Sequence, residues 1–160
     1  MPFAGGVDHA RRLGPSLARL ELGEGDELIV ADNGGDPEVA TVLRDSLPPA
    51  GRIVAAAGER SSYHARNAGA SAAPAGDWLL FIDADCVPRP DLLDAYFEPP
   101  PGDGVGALAG AVVSDPAQRS FLARYASDRG FLDQEDGLHT GADAAATANL
   151  LVRRSAFDEL

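Results

Sequence analysis

In Ala75-Gly76-Asp77-Trp78-Leu79-Leu80-Phe81-Ile82-Asp83-Ala84-Asp85-Cys86-Val87-Pro88, an unbroken apolar run stops at two aspartates held one alanine apart. A run that is apolar throughout reads as a strand covered on both faces. Two carboxylates at its end project into one crevice, where each disfavours ionisation of the other. A divalent cation removes that cost, and Mg²⁺ or Mn²⁺ commonly takes one or two carboxylates together with phosphate oxygens. The plainer alternative is an aspartate-rich turn of the kind that often follows a strand. Cys86 beside the pair reads as a small packing residue, since hard cations do not choose a thiol.

Upstream, Ser61 or Ser62 can cap a helix ending near Pro74, and Arg52 to Ala56 reads as a strand. Asp36-Pro37-Glu38 opens a helix to about Leu47, with a capping aspartate and proline in the first turn. Glu27 to Ala31 is a buried strand that stops at Asp32-Asn33-Gly34-Gly35. Apolar residues at Val7, Ala10, Leu13, Leu17 and Leu20 have helical spacing, and Pro15 inside them marks a start or a bend.

Downstream come a short helix from Asp91 to about Phe97, a Pro- and Gly-rich loop from Glu98 to Gly104, and a strand over Val105–Val113. A helix over Pro116–Arg129 and a strand over Ala145–Val152 complete the pattern. Alternating strands and helices predict an α/β fold with a mainly parallel sheet flanked by helices. Such sheets bind ligands beyond the carboxyl ends of their strands. Asp32 and Asp83 both stand at such ends.

A length of 160 residues suits one domain. The net charge of −12 comes from 25 acidic and 13 basic residues, all of the latter arginine. That balance excludes a general nucleic-acid binder, which needs basic surface to displace phosphate counterions. It suits a protein that recruits a divalent cation to handle an anionic ligand. With a single cysteine no internal disulfide forms, as in a reducing compartment. No apolar run reaches the roughly 20 residues that span a bilayer. The expected location is cytoplasmic, with the inner face of a membrane as the alternative.

The segment from Ala75 to Pro88 resembles the DxD segment of family 2 glycosyltransferases. Three more segments are similar to that family in the same order: Ile29 to Gly35, Ala65-Arg66-Asn67-Ala68-Gly69, and Asn149-Leu150-Leu151-Val152-Arg153-Arg154-Ser155-Ala156-Phe157. The resemblance implies a GT-A, Rossmann-like fold over residues 1–160. It implies transfer of a sugar from a nucleotide-diphosphate donor, a UDP-sugar above all, to an acceptor hydroxyl with inversion.

By that analogy Asp32 meets the base, Asp83 the ribose, and Asp85 the Mg²⁺ or Mn²⁺ ion bridging the phosphates. Pro2, Arg66 and Ala84 complete the donor contacts. Asn67 is a weaker candidate on the same helix. Tyr63, His64 and His139 receive no role, and Trp78 reads as core. In the family a complete strand precedes the position of Pro2, and the catalytic base follows a segment beyond Leu160. The expectation is therefore a domain lacking its first strand and its acceptor part. Neither Asp133 nor Asp143 has a spacing argument as a substitute base.

The alternatives are a non-catalytic nucleotide-sugar-binding remnant and a phosphatase of the haloacid dehalogenase kind. The phosphatase also sets Asp-x-Asp after an apolar strand. It needs a lysine, and this chain has none.

Overall fold

The computed structural model describes residues 1–74, 76–113 and 146–160. The expected helix over Pro116–Arg129, together with Asp133, His139 and Asp143, lies outside the described residues. In chain order the elements are Pro2–Phe3 (β1), Val7–Leu17 (α1), Leu28–Asp32 (β2), Pro37–Ser46 (α2), Gly51–Ala55 (β3) and Ser62–Ala72 (α3). Trp78–Ile82 (β4), Leu92–Phe97 (α4), Ala107–Ala109 (β5), Asn149–Arg153 (β6) and Arg154–Asp158 (α5) follow.

All five residues of β2 are buried, because helices cover both of its faces. Side chains alternate across a strand. Leu28 and Val30 join Phe3, Ala10, Leu13, Leu17, Val39 and Leu43 in the main core, against α1 and α2. Ala31 points the other way and packs with Ala56 and Ala65 beneath α3. β1, β2 and β3 form a parallel sheet in that order, with Phe3 opposite Asp32 and Asp32 opposite Ala55.

The helix starts follow local chemistry. Asp36 Oδ1 accepts from the Glu38 N–H at 2.9 Å ahead of Pro37, and Ser61 Oγ accepts from the His64 N–H at 3.1 Å. α1 begins at Val7 and carries the exposed Pro15 without a break, ending at Leu17. Leu20, just beyond it, is still buried.

The other half departs from strict parallel alternation. β4, β6 and β5 make an antiparallel trio in that order, Leu80 and Leu108 both opposing Leu151. Apolar patterning marks strands but carries no direction. The strand expected over Val105–Val113 is only three residues long. A Cβ at Gly110 would stand 2.2 Å from Asn149 Nδ2 and 2.4 Å from the Tyr96 hydroxyl, so only glycine lets those groups meet. Tyr96 donates to Asn149 Oδ1 at 2.8 Å, with its phenol pushed up to about 12 by burial.

Gly14 on α1 faces Ser46 on α2, where an added Cβ would lie 2.5 Å from Ser46 Oγ and 2.6 Å from Ser46 Cβ. Glycine to alanine inside a helix ordinarily stabilises by about 1 kcal/mol. Here the overlap reaches an atom fixed to the backbone and forces the helices apart. Gly14→Ala is expected to lower stability by about 1–3 kcal/mol in urea unfolding, with Ser46→Gly restoring much of the loss.

Candidate donor and metal site

Asp83, at the end of β4, is held by Arg66 from α3 through a charge-assisted hydrogen bond from Nη2 to Asp83 Oδ1. The Arg66 side chain is 10% exposed, the Asp83 side chain 30%. The exposed Tyr63 ring lies 5.7 Å from the guanidinium carbon, within cation–π range. Among the described residues the buried Arg66 Nε has no hydrogen-bond partner. The Met1 amino group is the second basic group here. It donates to the Ile29 carbonyl at 3.0 Å, and burial, then the Arg66 charge, lower it to about 6 against the pull of Asp83.

The turn beyond β4 is fixed from three directions. The Asp83 N–H donates to the Ala148 carbonyl at 3.3 Å, and the Cys86 N–H donates back to the Asp83 carbonyl at 3.1 Å. His9 on α1 brings Nε2 within 2.9 Å of the Ala84 carbonyl, reaching across 75 residues of sequence. Asp85 is left exposed, touched by the Cys86 thiol at 3.9 Å. Burial, then the charges of Asp85 and Asp83, push that thiol up to about 11, so it stays protonated and is no ligand for a hard cation.

Asp32 is buried and already employed: its Oδ1 accepts from the Gly34 N–H at 2.8 Å and the Gly35 N–H at 3.2 Å. Gly35 takes a φ of 73°, which suits glycine. Asn33 continues the turn, donating from Nδ2 to the carbonyls of Ala56 at 2.6 Å and Glu59 at 3.0 Å. The strand of Asp32 does not pair with that of Asp83. β2 pairs with β1 and β3, and β4 pairs with β6.

A relay of contacts nevertheless brings the two ends together. Asp32 is in register with Phe3, the Phe3 ring centroid lies 5.1 Å from that of His9, and His9 reaches Ala84. Pro2, opposite Ala31, stands on the same short strand.

Other candidates fall elsewhere. Asn67 is exposed on α3, and His64 Nε2 lies 2.8 Å from the Ala57 carbonyl, closing a loop. Trp78 is half-buried rather than core: its edge meets Phe97 at 6.2 Å, and the Arg153 guanidinium stacks on it at 4.3 Å. Arg153 Nε also donates to the Val105 carbonyl at 2.9 Å, and Arg154 Nη1 to the Ala70 carbonyl at 3.2 Å. Those two arginines thus tie β6 to its surroundings. His9 was absent from the sequence-derived candidates, because its partner is distant in the chain and its helix showed only apolar spacing.

Residues 11–160 match the family model described as Glycosyl transferase family 2. The chain belongs to glycosyl transferase family 2. No curated protein matches it closely enough to add a substrate. Among solved structures, a crystal structure of a mycobacterial protein superposes with a TM-score of 0.60 at 22% identity, over 96% of this chain and 52% of that one. That likeness speaks for the fold, and this chain spans about half of that chain's length. The phosphatase reading falls away with the family match. Among the described residues no helix is long and apolar enough to cross a membrane.

Two outcomes follow from the Arg66–Asp83–Met1 cluster. Arg66→Met leaves Asp83 half-buried without its donor and is expected to cost about 2 kcal/mol in urea unfolding, with Arg66→Lys recovering part of it. The second concerns pH. A base whose folded pKa of about 6 lies below its unfolded 8.0 binds fewer protons when folded, so stability rises as pH climbs from 6 to 8. The expected gain is roughly 2 kcal/mol. It is read as the difference in denaturation midpoints between the free and the N-acetylated chain, in which the histidine contributions cancel.

Proposed function

We propose that this chain is the donor-binding domain of a glycosyltransferase that uses a nucleotide-diphosphate sugar with a divalent cation. The observation that carries the reading is the division of labour between the two aspartates of one turn. Asp83 is neutralised from within by Arg66, and Asp85 is left pointing outward. Among the described residues no cluster of three or more His, Cys, Asp or Glu side chains gathers to cage a metal. A single outward carboxylate suits Mg²⁺ or Mn²⁺ shared with phosphate oxygens, an ion that takes as few as one carboxylate from the protein.

On this reading Asp85 would hold the ion. When bound, the cation supplies charge neutralisation for the departing diphosphate. The chain's own groups position the donor. The turn amides that Gly34 and Gly35 direct onto Asp32 hold that carboxylate at the edge where a base would sit, and Asp83 with Ala84 offers the ribose contact. Arg66 sets the rotamer of Asp83, and Pro2 lines the same edge. The donor nucleotide is read as UDP and the acceptor as a hydroxyl attacked with inversion. No residue of this chain is assigned as the base that takes its proton.

Calorimetric titration of UDP with and without Mn²⁺ tests the reading. Binding is expected to need the cation, and Asp85→Ala is expected to weaken it at least tenfold, about 1.4 kcal/mol. Because Asp85 is exposed, the unliganded variant should keep its stability within about 0.5 kcal/mol. Equal affinity in parent and variant would sink the assignment.

A further inference from the structure

Among the described residues Tyr63 is the one aromatic side chain that stands mostly in solvent, at 73% exposed. Phe3 and Phe81 are buried, and Trp78, Tyr96, Phe97 and Phe157 are half-buried. A ring left in water forgoes the gain that burial gives the others. Its place in the fold shows what could cover it.

Tyr63 stands in the first turn of α3, which is reached from the carboxyl end of β3 through residues 56–61. β2 and β3 are parallel, with Asp32 opposite Ala55, so that turn rises from the same edge of the sheet as Asp32. The connection is tied down at three carbonyls. Asn33, next to Asp32, donates from Nδ2 to those of Ala56 and Glu59, and His64 Nε2 meets that of Ala57. Tyr63 also meets Arg66, one turn further along α3. The guanidinium carbon lies 5.7 Å from the ring centroid, and the same guanidinium holds Asp83. With its side chain only 10% exposed, Arg66 is the inner member of this stack and the ring the outer one. The ring thus borders both carboxylates of the candidate site, Asp32 through the turn at Asn33 and Asp83 through Arg66.

We propose that Tyr63 is the platform on which the donor's nucleobase stacks. The inference rests on the donor-binding reading above and deepens it: Asp32 meets the edge of the base, and Tyr63 its face. Every base offers a π-face, so this contact adds affinity for a nucleotide without choosing among bases. The choice is left to the edge at Asp32. Arg66 behind the ring holds it by cation–π attraction, which lowers the ordering cost when a base arrives. Tyrosine suits such a place, since its hydroxyl keeps water while the ring face is covered.

The test is calorimetric titration of the whole chain, with Mn²⁺ present, by UDP and by ribose 5-diphosphate, which keeps the sugar and both phosphates but has no base. Tyr63→Ala is expected to weaken UDP about tenfold and to leave ribose 5-diphosphate within about twofold of the parent. Tyr63→Phe, which keeps the ring, is expected to bind UDP as the parent does. Equal UDP affinity in parent and Tyr63→Ala overturns the proposal. So does an equal loss with both ligands, because the ring would then act only through Arg66 and Asp83. A Tyr63→Phe variant as weak as Tyr63→Ala overturns it too. Failure of the donor reading looks different: the parent itself binds no UDP, and both ideas fall together. A parent that binds UDP beside an indifferent Tyr63→Ala removes the platform alone.

Discussion

A carboxylate at the end of an apolar strand must find a partner or lose its charge, and in this molecule Arg66 is that partner for Asp83. The guanidinium arrives from α3, which packs on β1 and β2, so the pair also joins the two sheets. Without it, the two aspartates around Ala84 would repel each other in a partly buried turn. With it, the repulsion is met from inside, and Asp85 alone is left needing something from outside. The chemistry of the turn rests on this asymmetry more than on the bare motif. A solvated pair of equal aspartates would hold a cation loosely and give a nucleotide no fixed frame.

The sheet order and the burial pattern make the same point at larger scale. β2 is covered because α1, α2 and α3 reach it from both faces, and its end is closed by Asp32 accepting two amides. β4 has the more apolar sequence of the two yet is the less covered. Burial is decided by what lies alongside a strand. Among the described residues only one edge of β4 is paired.

Much of this was legible in the chain itself, and the exceptions share a cause. The caps at Asp36 and Ser61, the strand from Trp78 to Ile82 and the helix through Ala65 follow from local spacing and local hydrogen bonds, which sequence displays directly. Asp32 at a strand end was equally visible, as was its aptitude for a turn ahead of two glycines. What was not legible depended on partners far along the chain. The antiparallel direction of β6 was one such feature, as was the exposure of Trp78 under Arg153. Another was the reach of His9 to Ala84, since a histidine beside Val7 carries no sign of a carbonyl 75 residues away. Gly110 belongs to the same class: its need for hydrogen in place of Cβ arises from Tyr96 and Asn149 meeting there.

These long-range contacts also decide how the candidate site is held together. The strands of Asp32 and Asp83 do not pair directly, so their relative position cannot rest on a shared ladder. It rests on the two-residue β1, whose Phe3 is registered with Asp32 and touches His9, and on His9 itself, which holds the Ala84 carbonyl. A helix-borne clamp of this kind fixes the backbone of the turn while leaving its outer carboxylate free. Movement of α1 would therefore shift Ala84 and Asp85 relative to Asp32 without breaking either strand. Under the proposed function, the separation of these carboxylates would set the distance between base and phosphate contacts. α1 is thus the element on which that separation depends.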